Sequence, residues 1–267
     1  MLRETVLSAV IAGLVAAIAL TVMQALWVTP LILKAEMLEQ GEHDERGASG
    51  DKQERDDHGV RVVQSAHSTA HEHPLPDAQG EHSHSAAAEH HHDASDWKPR
   101  DGLERTAFTF GANMLMAFGY AFLLTATYLL WREPRNAGWG AIYGIAGFFI
   151  FFAAPALGLP PELPGTAAAE LTARQQWWVM IAATTGVGLL LAFSRLPWWT
   201  RLLGVSLIVA PHFIPAPAPV AHASLAPEAL QTQFRWATAV CNAVFWALLG
   251  LTSTFALKKL VRLPSRA

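Results

Sequence analysis

The sequence predicts an all-α integral membrane protein, a bundle of about six transmembrane helices with one long, disordered, His-rich extracytoplasmic loop after the first helix. Three observations predict this fold. Hydrophobic residues make up 52% of the 267-residue chain and charged residues only 15%. Several apolar runs approach the 20 or so residues that a helix needs to cross a hydrocarbon core about 30 Å thick. Ten of the twelve histidines fall in one acidic segment.

The first apolar run, Val6–Val28, is longer than the apolar core of a signal peptide, and no small-x-small cleavage site follows it. We therefore expect residues 1–33 to form a retained first transmembrane segment. The residues that follow differ sharply in charge. Residues 34–105 carry 8 Lys/Arg and 17 Asp/Glu, a net charge of −9, while the rest of the chain carries +6. Residues 34–96 are thus predicted to form the acidic, disordered loop.

The rest of the chain, residues 97–267, is predicted to be a five-helix membrane region. The fifth of the six spans is short and reaches crossing length only if Trp198 and Trp199 lie at a membrane interface. Most of the ten tryptophans fall at proposed helix ends, where indole rings favour the headgroup level. The single Cys241 is expected to be a small core residue. The predicted spans are 106–131, 139–157, 177–193, 198–214 and 236–257.

The distribution of basic residues favours six spans over five. Cytoplasmic connections are enriched in Lys and Arg. Six spans place the basic groups around 132–135, 195–201 and 258–266 on one side, whereas five spans put one of them on the wrong side. The predicted location is the bacterial inner (plasma) membrane, multi-pass, with both termini cytoplasmic and the His-rich loop periplasmic or extracellular.

The loop is predicted to bind metal ions. It lacks the apolar residues for a core, and neutral imidazole is a good ligand for cobalt, nickel, copper and zinc. Binding should weaken below about pH 6.5, as imidazoles take up protons. A hydrophilic tether with no specific role for its histidines is the alternative interpretation. The candidate loop ligands are His67, His71, His73, His82, His84, His90, His91 and His92.

Three further candidate ligands lie near or within the spans: Glu36, Glu162 and His212. Glu162 belongs to a Pro-rich segment, residues 158–165, which is either a re-entrant turn that presents Glu162 to a pore or a stiff outer loop. His212 follows Pro211 inside a predicted span, where polar groups are costly and so face a pathway or a neighbouring helix. Asn113 and the other buried polar residues are candidates for the same path or for interhelical hydrogen bonds.

Several short motifs together resemble the CbtA family, the predicted cobalt transporter subunits of bacteria. The resemblance covers nearly the whole chain outside residues 40–95 and implies cobalt uptake linked to cobalamin synthesis. It also implies a small one-span, His-bearing partner, called CbtB in that family. The motifs are the apolar first helix leading to Val28-Thr-Pro-Leu-Ile-Leu-Lys-Ala-Glu36, the Trp97…Asp-Gly…Glu-Arg105 entry, Gly158-Leu-Pro-Pro-Glu-Leu-Pro-Gly165, Arg174-Gln-x-Trp-Trp178, Pro211-His212 and Phe245-Trp246.

The leading hypothesis is therefore a membrane subunit for uptake of a divalent transition metal, with cobalt indicated by the resemblance and nickel, zinc and copper as alternatives. A membrane-anchored metal sensor or buffer that serves another transporter is the second hypothesis, and export is an alternative direction. An enzyme is not expected, because HExxH, Gly-x-Ser-x-Gly and paired intramembrane aspartates are absent from the sequence. The metal ion is expected to be a substrate rather than a permanent cofactor. The lipid bilayer is expected to surround the protein, and nucleic acid is not expected as a partner.

Overall fold

The computed structural model describes residues 2–42, 99–131, 137–219 and 224–260. Within these residues the chain forms six long helical segments, and the only β-type pairing is a single bridge between Thr166 and Ser224. We number the segments in chain order: α1, Leu2–Met23 continuing through a π turn at Gln24–Val28 to residue 42; α2, Leu103–Trp131; α3, Ala137–Phe148 with a π turn at Phe149–Ala153 and a last turn at Ala154–Ala156; α4, Leu171–Ala192; α5, Trp198–Val209 with a 3-10 turn at Ala210–Phe213; and α6, Glu228–Leu260.

Every predicted span coincides with a helix, so the all-helical fold is confirmed for the described residues. Four of these helices are long and apolar enough to cross a membrane: Arg3–Glu42, Leu103–Leu130, Ala137–Ala156 and Glu228–Leu260. The helices α4 and α5 do not reach the same standard of length and hydropathy, and the α-helical part of α5 has only 12 residues. Six membrane crossings therefore remain a prediction.

The first helix is longer than predicted. It runs over 40 residues from Arg3 to Glu42, or about 60 Å at 1.5 Å per residue, twice the thickness of a hydrocarbon core. Residues 34–42, which were predicted to begin the loop, are therefore helical. Residues 34–42 are mostly strong helix formers such as Ala, Glu, Met and Leu, and their polar character places them beyond the apolar part of the helix.

Two prolines explain the π turns in α1 and α3. Proline lacks an N–H group, and its ring clashes with the carbonyl four residues earlier. Pro30 and Pro155 each follow a π turn by two residues, and the clashing carbonyls belong to Leu26 and Phe151, inside the turns. The wider turn accommodates each ring without ending the helix.

The main core is formed by α1, α2, α3 and α6, and small residues permit their close packing. Alanines line the buried face of α1, and a Cβ added at Gly250 of α6 would lie 3.0 Å from the Gly144 Cα of α3. Such close crossings of small residues are typical of helices packed within a membrane. Cys241 is buried in this core, as predicted.

The helices α4 and α5 form a hairpin that packs mainly against the last turns of α3. Gly188 and Gly204 face each other across the hairpin, and a Cβ on Gly204 would lie 2.5 Å from the Gly188 carbonyl oxygen. The start of α4 packs on the end of α3 through Trp177, Ile181 and Ala154. Since the helices alternate in direction, the end of α1, the start of α2, residues 158–170, residues 212–219 and residues 224–227 all lie at one end of the bundle, which we call the loop end.

Candidate functional site

An ion pair joins α1 to α2 at the loop end. Arg105 of α2 contacts both carboxylate oxygens of Glu36, at 2.7 Å from Nη2 to Oε1 and 3.0 Å from Nη1 to Oε2. The same Nη1 donates to Oδ1 of Asp101 at 2.9 Å. The side chains of Arg105 and Glu36 are 26% and 31% exposed. Glu36, a predicted metal ligand, is thus occupied by a guanidinium in this structure, and a cation at Glu36 has to displace it.

A turn positions Arg105 for this contact. Gly102 has a φ of 94°, a left-handed conformation that glycine adopts without a steric penalty. The backbone N–H of Arg105 donates to the Arg100 carbonyl, and the Thr106 hydroxyl donates to the Gly102 carbonyl. The entry to α2 is therefore built around Gly102. The Arg105 guanidinium pairs with Glu36 of α1 as well as with Asp101 just before its own helix.

The Pro-rich segment, residues 158–165, is folded against α4. Gly158 packs on the indole ring of Trp177 so closely that a Cβ there would overlap it. Leu163 is 3% exposed, and Glu162 forms an ion pair with Arg174 of α4 at 3.3 Å. Gly165, with a φ of 73°, turns the chain toward Leu225. Glu162 is thereby fixed beside the start of α4.

His212 lies next to the same helix. It belongs to the 3-10 turn that ends α5, it is half-buried, and its ring meets Trp177 edge-on with 6.5 Å between ring centroids. The His212 ring thus contacts the same tryptophan on which Gly158, the first residue of the Glu162 segment, packs. The connections that carry these two predicted ligands therefore both contact Trp177.

Glu170 sets the start of α4. Its carboxylate accepts hydrogen bonds from the backbone N–H groups of Thr172 at 2.9 Å and Ala173 at 2.7 Å. These two backbone donors lower the pKa of Glu170 below its usual range. Acidic side chains favour this position because they satisfy the free N–H groups of the first turn. The cap fixes the helix turn that carries Arg174 and Trp177.

A polar cluster lies inside the bundle, between α1 and α2. The Asn113 side-chain amide donates to Thr21 Oγ1 at 3.0 Å and to Gln24 Oε1 at 2.6 Å. Asn113 is 7% exposed, and Gln24 begins the first π turn. Asn242 of α6 donates instead to the Thr238 carbonyl of its own helix. The cluster around Asn113 places amide and hydroxyl oxygens inside the bundle and also joins α1 to α2.

The described residues contain no group of three or more His, Cys, Asp or Glu side chains that could hold a metal ion. Glu36 and Glu162 are each paired with an arginine, and His212 contacts Trp177. The predicted ligands in the loop, His67, His71, His73, His82, His84, His90, His91 and His92, lie outside the described residues. Their binding of metal remains a prediction.

Sequence reasoning missed three members of these sites: Thr21, Trp177 and the pairing partner of Glu36. In the sequence Arg105 stands out only as the last residue of the Trp97…Arg105 motif. One signal could have found the pair, because Glu36 and Arg105 are opposite charges at the ends of two adjacent apolar runs. Thr21 lies one helical turn before Gln24, a spacing that places both on one face.

Long apolar helices, small-residue crossings and a few buried polar groups define an α-helical integral membrane protein. The family model described as "Probable cobalt transporter subunit (CbtA)" matches residues 2–258. The chain therefore belongs to the CbtA family, and the resemblance inferred from its motifs is confirmed. That description is of a transporter subunit rather than of an enzyme. Comparison with curated proteins gives no match, and comparison with solved structures gives none either.

Proposed function

We propose that this protein is the membrane subunit of an uptake system for a divalent transition metal, with cobalt as the ion. The observation that carries the proposal is the match of the cobalt-transporter family over residues 2–258, on a chain with four apolar helices of crossing length. The ten histidines between His43 and His92 supply imidazoles that suit cobalt. In this scheme the loop collects ions and passes them to the loop end of the bundle.

The ion route begins at His212 and Glu162 in this proposal. An unshielded divalent ion in hydrocarbon is prohibitively costly, so ligands have to replace its water along the path. His212 offers an imidazole nitrogen, and Glu162 offers a carboxylate once it leaves Arg174. Glu36 of α1, also at the loop end, offers a second carboxylate once it leaves Arg105, and the oxygens around Asn113 lie within the bundle between α1 and α2. The route therefore passes from charged ligands at the surface to neutral ones within.

The membrane topology of the proposal has six crossings, with the α4–α5 hairpin as the fourth and fifth. Both termini are then cytoplasmic, and the His-rich loop lies outside the bacterial inner membrane. The membrane potential favours inward movement of a cation by about 2.3 kcal/mol per charge for each 100 mV. A small one-span subunit with its own histidines, similar to CbtB, is the proposed partner.

One experiment tests the proposal. Metal-starved cells that express the protein, with and without the small partner, receive cobalt, nickel, zinc and copper in competition. We expect cobalt accumulation above an empty-vector control and its loss in His212→Ala. Phe213→Ala is the matched control, because Phe213 occupies the same 3-10 turn and is 83% exposed. If the protein inserts correctly and no metal accumulates, transport by this subunit is contradicted.

A metal sensor or buffer that serves another transporter is the second candidate. Two observations favour it: both Glu36 and Glu162 are paired with arginines, and the described residues hold no cluster of three ligands. A buffer should bind cobalt through its loop and be insensitive to His212→Ala. A conducting subunit should lose accumulation in the same variant while its loop still binds metal. Cobalt accumulation in cells that express the variant separates the two, and equilibrium dialysis of the purified variant checks that its loop still binds cobalt.

A further inference from the structure

The α4–α5 hairpin is attached to the rest of the bundle mainly at one end. At the loop end, Trp177 of α4 packs with Ala154 in the last turn of α3. Farther along α4, a Cβ on Gly186 would still lie 3.9 Å from Ile150. The earlier part of α3 packs on α6 instead, and α5 packs extensively only on α4. The opposite end of the hairpin, residues 193–203, which we call the tip, therefore extends beyond the contacts with α3.

Large apolar side chains are exposed at the tip. Phe193 is 85% exposed and Trp198 is 72% exposed. Aromatic rings, and indole rings above all, favour the boundary between acyl chains and headgroups. These side chains therefore suit the edge of a bilayer rather than water. The other exposed apolar residues of the tip are Leu196, Trp199, Leu202 and Leu203.

Two unpaired arginines accompany these rings. Arg195 is three residues before Trp198 and Arg201 is three residues after it, and both arginines are exposed. Neither forms an ion pair with a described residue, and the sequence from 171 to 227 contains no Asp or Glu. Arg201 is also one turn before Gly204, where α5 crosses α4. The tip thus presents two cations beside exposed rings, with no carboxylate of the hairpin to neutralise them.

We propose that the tip binds the headgroup of an anionic phospholipid through Arg195 and Arg201, with the acyl chains against the exposed rings. A guanidinium offers paired N–H donors that match the oxygens of a phosphate, and the cytoplasmic surface of a membrane is negatively charged. The inference rests on the proposed function for its topology alone, because six crossings place the tip on the cytoplasmic side. Bound lipid therefore fastens the end of the hairpin that α3 does not reach.

The direct test is quenching of tryptophan fluorescence in the full-length protein. Brominated phosphatidylglycerol is titrated into mixed micelles of phosphatidylcholine and detergent, and the quenching that is lost in Trp198→Phe/Trp199→Phe defines the signal of the tip. Each basic residue near an anionic surface contributes about fivefold in affinity, so Arg195→Gln/Arg201→Gln should weaken this signal's apparent affinity about 30-fold. Brominated phosphatidylcholine should quench the wild-type protein and this variant equally.

Two further variants show whether the arginines act by charge and by position. Arg195→Lys/Arg201→Lys keeps both charges and should retain most of the affinity. Lys258→Gln/Lys259→Gln is the matched control, since it removes two exposed cations at the same side of the bundle but on α6. Its affinity at the tip should be unchanged. Thermal unfolding in phosphatidylcholine alone should be the same for the glutamine variants and the wild-type protein, which separates lost binding from lost folding.

Three results overturn the inference. The first is wild-type affinity for brominated phosphatidylglycerol in Arg195→Gln/Arg201→Gln. The second is an equal loss in Lys258→Gln/Lys259→Gln, which would show attraction to the whole basic side of the bundle rather than binding at the tip. The third is full competition by inorganic phosphate at the concentration of the lipid, which would assign the arginines to a free anion.

The failures of the two proposals are distinguishable, because lipid binding in micelles does not depend on metal transport. Unweakened quenching in Arg195→Gln/Arg201→Gln, together with cobalt accumulation that is lost in His212→Ala, contradicts the lipid site and leaves the uptake proposal in place. Quenching that weakens as expected in a protein that accumulates no metal contradicts uptake and leaves the lipid site in place.

Discussion

Arg105 and Glu36, 69 positions apart in sequence, form a two-oxygen ion pair that ties the end of α1 to the start of α2. These are the two helix ends from which the His-rich loop leaves and to which it returns. Because the guanidinium also contacts Asp101, three charged side chains fix the base of that insertion. The pair therefore joins the described residues on either side of that insertion directly to each other.

Replacing Arg105 by Gln should destabilise the protein by about 1–2 kcal/mol, because hydrogen bonds to charged groups contribute more than neutral ones and this pair is mostly shielded. Thermal unfolding of purified variants in detergent measures the effect. Arg100→Gln is the control: Arg100 pairs with Glu104 but is 91% exposed, so its removal should cost less than about 0.5 kcal/mol. The double variant Glu36→Gln/Arg105→Gln should lose less than the sum of the two single variants, and strict additivity would show that the pair contributes nothing.

Asn113 should contribute more to stability than Asn242. Asn113→Leu removes two hydrogen bonds between α1 and α2 and leaves Gln24 Oε1 without its donor. Measured interhelical hydrogen bonds in membranes suggest a cost of about 0.5–1.5 kcal/mol. Asn242→Leu removes only a bond to a backbone carbonyl of the same helix and should cost less. Both are measured by thermal unfolding in detergent, and an equal effect of the two substitutions would contradict a joining role for Asn113.

The α4–α5 hairpin should tolerate no side chain at its crossing point. In Gly204→Ala the new methyl group would lie 2.5 Å from the Gly188 carbonyl oxygen and 2.7 Å from the Ala192 nitrogen, so the two backbones must separate. Overpacking of this kind costs about 1–3 kcal/mol. Gly186→Ala is the matched control, because its nearest neighbour is Ile150 at 3.9 Å. That substitution should be neutral or stabilise the helix by up to about 1 kcal/mol, and the same loss of thermal stability in both variants would contradict a tight crossing.

These contacts separate what the sequence predicts well from what it does not. The runs 106–131 and 139–157 are predicted within a few residues because apolar length is a local property. The pairing of Glu36 with Arg105 and the meeting of Gly188 with Gly204 depend on how distant segments pack, and nothing local to either residue specifies its partner. For Glu162 and His212 the residue types are recognisable in the sequence, but the packing of their two connections on Trp177 is not. The extension of α1 to residue 42 was missed because charge was interpreted as loop, although Ala, Glu, Met and Leu favour helix.

The cap of α4 should depend on pH. Two backbone donors lower the pKa of Glu170 in the folded protein. The stability that the Glu170 carboxylate contributes is therefore fully present above the pKa that Glu170 has in the unfolded chain. It is lost as the pH falls through the lower pKa of the folded state. The difference in thermal stability between the wild-type protein and Glu170→Ala should therefore be largest near neutral pH and shrink below about pH 4.5, the ordinary value for glutamate. Glu170→Gln serves as a control for the charge alone. A difference that does not vary with pH would show that the carboxylate charge plays no part in the cap.

Removing the His-rich insertion should separate collection from transport. Residue 42 is six positions after Glu36, and residue 100 is five positions before Arg105. A Gly/Ser linker of about ten residues can therefore replace residues 43–98 without pulling the two helices apart. We expect cobalt accumulation to fall when the metal is scarce and to recover when it is abundant, since the loop raises the local ion supply rather than forming the path. A full-length variant with the loop histidines replaced by glutamine is the matched control, because it keeps the tether and removes only the ligands, and it should behave like the deletion. If the glutamine variant matches the wild-type protein at every cobalt concentration, the histidines are not collectors. If the deletion abolishes accumulation at every concentration while the protein still inserts, the insertion is part of the transport path.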